Sequence, residues 1–189
     1  MSSHPHYFIA VPLSSSIKDW LFLQQSQCKD LDALSYKSWT HKEDLHITLK
    51  FLGAVTPEKI DLLVNKLVQL QSKFEPFQLK VGGLGNFGNP KQPRVLWTGV
   101  ESNDRLNQLY KTIEDVCVEV GFSEENRPYR PHITLAKKWN GSRLPEDYMS
   151  ELAASFKGER QDWIDHFVVY EIHPSQSPKY KVIKQIYLK

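Results

Sequence analysis

The residues best suited to chemistry lie in two identical tetrapeptides. His46-Ile47-Thr48-Leu49 returns letter for letter as His132-Ile133-Thr134-Leu135, 86 residues further along. Each copy sits in a stretch that reads as a β-strand. Successive strand side chains point to opposite faces, so His and Thr share one face of each copy while Ile and Leu anchor the other. Two such strands side by side about a pseudo-twofold axis would bring two imidazoles and two hydroxyls to one cleft. Phosphodiester hydrolysis asks for such a set, with a base on one flank of phosphorus and an acid on the other. Histidine serves both roles because its pKa lies near neutrality. Threonine hydroxyls can donate to the non-bridging oxygens and stabilise charge in the transition state. A lone His-x-Thr is usually a satisfied structural pair, but an exact duplicate on a second predicted strand argues against that reading.

The elements that must position these residues can be read from pattern and punctuation. Tyr7 to Val11 reads as a strand ending at Pro12, and Ser14 to Ser16 can cap a helix carrying Ile17, Trp20 and Leu21. Leu45 to Leu52 is a strand closed by Gly53, and Thr56-Pro57-Glu58 starts a helix with Ile60, Leu63, Val64, Leu67 and Leu70 on one face. Phe77 to Val81 and Arg94 to Val100 read as strands around a loop rich in Gly, Asn and Pro. A long helix follows from about Ser102 to Val120 and stops at Gly121. A strand follows Pro131, then a helix from Pro145 to Phe156. Strands come near Phe167 to Ile172 and Tyr180 to Leu188, the last with Tyr180, Val182, Ile186 and Leu188 on one face. Strands outnumber helices without βαβ rhythm, which predicts an α+β fold with two mainly antiparallel sheets and a central cleft. No linker divides residues 1–189, so a single bilobal domain is expected.

Composition narrows the partners. The formal charge is +2, from 24 basic and 22 acidic residues, far from the basicity of proteins that grip long duplexes. A small or terminal anionic substrate fits better. Cys28 and Cys117 share no zinc-type spacing, so neither a disulfide framework nor a cysteine metal site is expected. No segment approaches the roughly 18 apolar residues of a membrane span, and Tyr7 to Val11 lacks a basic leader. The expectation is an unprocessed, cytoplasmic monomer with no cofactor, no metal, no membrane association and no obligate protein partner.

The duplicated motif resembles that of the 2H phosphoesterases, defined by paired His-x-Thr motifs on a pseudo-symmetric two-lobed fold. It is most similar to the bacterial and archaeal RNA 2′,3′-cyclic phosphodiesterases, formerly described as 2′-5′ RNA ligases. The likeness runs through Tyr7 to Val11, His46 to Gly53, Pro93-Arg94-Val95-Leu96-Trp97 and Arg130 to Ala136. It implies that His46 donates a proton to the leaving O3′ while His132 takes one from water, leaving a 2′-phosphomonoester. The substrate would be an RNA end or a small cyclic nucleotide, with Thr48 and Thr134 on the phosphate. Where the family usually carries an arginine after the second motif, this chain has Lys137, which keeps the charge but loses the bidentate fork. Arg130 is the alternative phosphate contact. A 2H enzyme acting on another small phosphodiester or 2′-5′ linkage, and a non-catalytic RNA-binding module, are the competing readings.

Two other signals carry less. Gly83-Leu84-Gly85-Asn86-Phe87-Gly88 matches a dinucleotide fingerprint, but Asn89, Pro90 and Pro93 stand where a helix must begin, so it reads as a turn between strands. Among the aromatics, Tyr7, Phe8, Trp39, Trp97, Tyr129 and Tyr180 are candidates for stacking on bases, although strand aromatics are mostly core.

Overall fold

The structure, a computed structural model, describes residues 4–156 and 158–189. In chain order the elements are β1 (His6–Pro12), α1 (Ser15–Lys29), β2 (Tyr36–Trp39), a short 3-10 turn (Lys42–Asp44), β3 (His46–Ala54) and α2 (Pro57–Val68). Then come β4 (Phe77–Asn89), β5 (Gln92–Val100), α3 (Asp104–Glu119), β6 (His132–Trp139), α4 (Tyr148–Ser155), β7 (Glu159–Ile164), β8 (His166–Ile172) and β9 (Tyr180–Tyr187). The helix starts expected at Ser14 and Thr56 hold, while α4 begins at Tyr148 and not at Pro145. Ser14, Thr56 and Asn103 each accept a hydrogen bond from the backbone N–H three residues on, and Pro57 occupies the first turn of α2. Among the described residues no helix is long and apolar enough to cross a membrane.

The strands form two antiparallel sheets, one ordered β3-β1-β8-β9 and the other β2-β6-β5-β4-β7. The two motif strands, β3 and β6, lie in different sheets and touch each other, so the sheets meet where the duplicated tetrapeptides are. Helices cover the outer faces: α3 packs on β3, α2 on α3 and β9, and α4 on β4. Ile47, Leu49, Ile133 and Leu135 point outward into this core and are almost fully buried. The opposite faces of the sheets, carrying the motif histidines and threonines, are left to line a cleft. From α1 the buried Gln25 amide donates to the carbonyls of Thr40 and Leu135, both at 2.8 Å, and so holds the back of β6.

Three expectations need correction. The glycine-rich stretch is not a loop: β4 continues through it to Asn89, paired with β5 and turning only at Pro90-Lys91. The glycines are there for close approach, since a Cβ on Gly85 would lie 2.3 Å from the Trp97 ring. Nor does β9 show a single apolar face. Val169 pairs with Lys184 but Tyr170 with Val182, leaving Ile183 as an extra residue. That bulge leaves Tyr180 packed with Phe8 and Tyr170 on the cleft side and Val182 exposed, while Ile186 and Leu188 enter the core. Finally, β2 and β7 pair at the two edges of the larger sheet without having been anticipated, both being short and polar along much of their length.

Candidate active site

Both motif histidines are held in the same way. His46 Nδ1 lies 2.7 Å from the Asp44 carbonyl and His132 Nδ1 lies 2.8 Å from the Arg130 carbonyl, in each case the carbonyl two residues upstream. A carbonyl only accepts, so each Nδ1 carries the hydrogen and each Nε2 is left as the working nitrogen. His46 Nε2 is 3.0 Å from Thr48 Oγ1, the other polar group of its motif.

Aromatic walls fix the two rings. His46 packs against Phe8 at 4.8 Å between centroids and edge-on to Tyr180 at 5.3 Å, with Tyr170 behind. His132 stands edge-on to Phe87 at 4.8 Å, with Trp97 beyond it. Burial among these rings pushes the His46 pKa down to about 4, against an opposing pull from the Asp44 carbonyl and carboxylate. Burial lowers the His132 pKa too, opposed only by the Arg130 carbonyl.

The segments leading into the motifs are themselves pinned. Asp44 is buried and accepts hydrogen bonds from the backbone N–H groups of Lys179 and Tyr180, which ties the turn before His46 to the start of β9. Tyr129, three residues ahead of His132, donates its hydroxyl to the Thr48 carbonyl at 3.1 Å while stacking on Tyr110 at 3.9 Å. One tyrosine therefore spans from the approach to the second motif to the strand of the first. Behind β3, Lys50 forms a buried ion pair with Glu114 and also donates to the Ser123 carbonyl, anchoring the same approach segment.

Each motif is followed by the same irregularity. In β3, Thr48 pairs with Ala10 and Lys50 with Ile9, which leaves Leu49 as an extra residue; in β6, Thr134 pairs with Trp97 and Ala136 with Leu96, which leaves Leu135. The bulges keep Leu49-Lys50 and Leu135-Ala136 inside and return Phe51 and Lys137 to the cleft side. A regular strand would have turned Lys137 away from His132.

A cavity of about 200 Å3 results, lined by His46, Thr48, His132, Thr134 and Lys137 together with Thr40, Phe87, Val95 and Tyr180. It is smaller than the roughly 300–1,000 Å3 of pockets that enclose a whole drug-sized ligand, and suits a phosphate with its adjoining sugar. Five of the six candidate residues thus meet there. Arg130 does not: its side chain lines a groove of about 960 Å3 that shares Thr48, Phe87, Val95 and His132 with the cavity. Burial and the neighbouring Lys179 and Lys138 ammonium groups lower the Lys137 pKa, the electrostatic mark of a site short of negative charge. Among the described residues no three metal-ligating side chains come together.

Sequence reasoning missed Asp44, whose value lies in backbone N–H groups 135 residues away, and the cleft aromatics Phe51 and Phe87. Phe51 is 60% exposed at the cavity mouth, and that exposure of a large apolar ring follows from the bulge.

A family model of LigT-like phosphoesterases matches residues 11–97 and 99–180. An RNA 2′,3′-cyclic phosphodiesterase of Bacillus subtilis is 36% identical over 179 residues, covering 95% of this chain and 94% of the relative. One of Geobacillus stearothermophilus is 38% identical over 180 residues, 94% of this chain, which spans only 55% of that relative's length. In fold the chain is similar to the Escherichia coli LigT structure complexed with 3′-AMP, with a TM-score of 0.76, 23% identity and coverage of 98% and 99% of the two chains. A Thermus thermophilus structure scores 0.74 at 21% identity, with 97% of each chain covered. With its two antiparallel sheets and paired motifs, the chain belongs to the LigT-like phosphoesterase family.

Proposed function

We propose that this protein opens a terminal 2′,3′-cyclic phosphate on RNA by metal-independent acid/base catalysis, leaving a 2′-phosphomonoester. The observation that carries the reading is the pair of Nε2 nitrogens, prepared alike and brought to one cavity with Thr48, Thr134 and Lys137. Water attacks phosphorus and gives a proton to His132 Nε2; the P–O3′ bond breaks, and O3′ takes the proton from His46 Nε2. Burial works against a protonated His46, but Asp44 opposes it through its carbonyl and carboxylate, whereas no carboxylate does so for His132, and that difference supports this division. The threonine hydroxyls and the Lys137 ammonium face the oxygens on which charge gathers. The names of the Bacillus and Geobacillus relatives support the cyclic phosphate as substrate. In the same reading the chain works as a single cytoplasmic domain and as a monomer.

The test is turnover of a 2′,3′-cyclic nucleotide by wild type, His46→Ala and His132→Ala, with the product identified by phosphorus NMR. Each substitution should slow the chemical step by about a hundredfold or more with folding retained. An activated aryl phosphodiester, whose leaving group needs little protonation, should rescue His46→Ala selectively. Rescue of His132→Ala instead would exchange the two roles, and near-normal turnover by either variant on the cyclic nucleotide would refute the mechanism.

A further inference from the structure

A second groove leaves the phosphate cavity, with a volume of about 900 Å3, and it shares Val95 and Lys137 with the cavity. Its wall carries three cations, Arg94, Lys137 and Lys138, with the amides of Gln92 and Asn140 and the indole of Trp139, and no carboxylate lines it. Arg94 also borders the groove that holds Arg130, where Glu125 lines the wall and pairs with Arg127; of these two grooves Lys137 and Lys138 line only the carboxylate-free one.

Two local irregularities place Arg94 and Lys138 on the wall of this groove. Phe87 pairs with Val95 and Gly88 with Pro93, so Arg94 is the extra residue of a β-bulge, a device that re-aims a side chain. Gly88 has a positive φ of 93°, and a Cβ there would sit 3.1 Å from Arg94 Nε and 3.2 Å from its Cγ. The glycine is therefore a seat over which the arginine side chain lies. The other irregularity is Lys138, the one non-glycine with positive φ among the described residues, at 65°. Left-handed backbone costs an ordinary L-residue roughly 1–2 kcal/mol. Its effect here is that Lys137 and Lys138, consecutive residues that a regular strand would send to opposite faces, line the same groove. Among the described residues neither Arg94 nor Lys138 has an ion-pair partner.

Unpaired cations held by two separate backbone distortions, in a carboxylate-free groove continuous with a phosphate site, match a polyanion longer than one nucleotide. We propose that this groove is a binding site for the phosphodiester backbone of the strand that leads to the terminal phosphate, with Arg94 and Lys138 as its phosphate contacts. The proposal rests on the cyclic phosphodiesterase reading and makes the preferred substrate an oligonucleotide end in place of a free cyclic nucleotide.

The experiment compares wild type, Arg94→Ala and Lys138→Gly on a tetraribonucleotide ending in 2′,3′-cyclic phosphate and on adenosine 2′,3′-cyclic phosphate, across a salt series. Glycine at 138 removes the charge while suiting the left-handed backbone, so loss of folding does not confuse the result. For the tetranucleotide, KM should rise about fivefold to tenfold in Arg94→Ala, and the dependence of log kcat/KM on log salt should flatten by about 0.7 for each phosphate contact removed. With the mononucleotide, kcat/KM should change by less than about threefold, since it has no second phosphate to lose. Equal losses on both substrates, or no loss on the tetranucleotide in either variant, would overturn the proposal. Fluorescence anisotropy of a labelled tetranucleotide ending in a 3′-phosphate reads the groove separately. If wild type turned over neither cyclic substrate, the cyclic phosphodiesterase reading would fail, while weaker binding by Arg94→Ala would still uphold the groove and unchanged binding would overturn it.

Discussion

The protonation of His46 offers a prediction that joins the geometry to the chemistry. Burial against Phe8, Tyr170 and Tyr180 holds its pKa at about 4 in the free protein, so at neutral pH the proposed acid has no proton to give. The ligand must supply the correction. A phosphate monoanion hydrogen-bonded to Nε2 places its charge about 4 Å from the ring, worth about 4 kcal/mol at an effective dielectric constant near 20. At about 1.4 kcal/mol per unit, that raises the pKa by about three units, to near 7. The free enzyme should therefore show a His46 ring titrating near 4 by NMR, and binding of a tetrahedral anion should move the midpoint upward by two units or more. Sulfate is a suitable probe because it does not titrate in this range. At pH 6 its binding should draw in about 0.9 proton per site, measured by calorimetry in buffers of different ionisation heat, and the uptake should vanish in His46→Gln. A free His46 titrating near 6.5, or sulfate binding without proton uptake, would refute the reasoning and leave the acid unassigned.

The same depressed pKa makes a stability prediction. Because the folded value of about 4 lies below the ordinary 6.5, His46 destabilises the fold as pH falls from 6.5 toward 4 and not above it. The loss totals about 3 kcal/mol, so His46→Gln should flatten the pH dependence of urea unfolding in that window, and identical slopes would contradict the burial argument. At Lys137, alanine should lower kcat by about tenfold or more while arginine keeps most of it, if the bulge delivers a charge to the transition state; equal activity of all three would remove Lys137 from the site. Gly85→Ala would drive a Cβ into the Trp97 indole that stands behind His132, costing about 1–3 kcal/mol in thermal unfolding together with a fall in kcat. Trp97→Phe in the Gly85→Ala background should recover part of both, and a double variant no better than the single one would show that the glycine serves some other contact.

What could be read from the sequence, and what could not, divides along a physical line. Strand alternation governs nearest neighbours, so it correctly placed His46 with Thr48 and His132 with Thr134, and buried Ile47, Leu49, Ile133 and Leu135 behind them. Helix caps at Ser14 and Thr56 are equally local and were equally legible. The failures begin where one inserted residue inverts a face. Beyond Leu135 strict alternation sends Lys137 to the core, and only the family resemblance put it at the site. Along β9 alternation puts Val182 beside Ile186; in both places a bulge reverses the order. Nothing in the letters marks these bulges, because no glycine is needed at Leu49, Leu135 or Ile183. They exist because the partner strands, fixed by their own burial, set the register. Asp44 and Tyr129 were illegible for a related reason, since their partners are backbone groups of distant strands, and any residue can present a backbone group. The duplicated tetrapeptide therefore marks the candidate site, while the equivalent bulges after Thr48 and Thr134 complete it differently in each half. One returns an aromatic ring, Phe51, to the mouth, and the other returns a charge, Lys137, to the cavity. A repeated backbone irregularity thus carries an asymmetric site, as the proposed reaction, which treats its two flanking oxygens differently, requires.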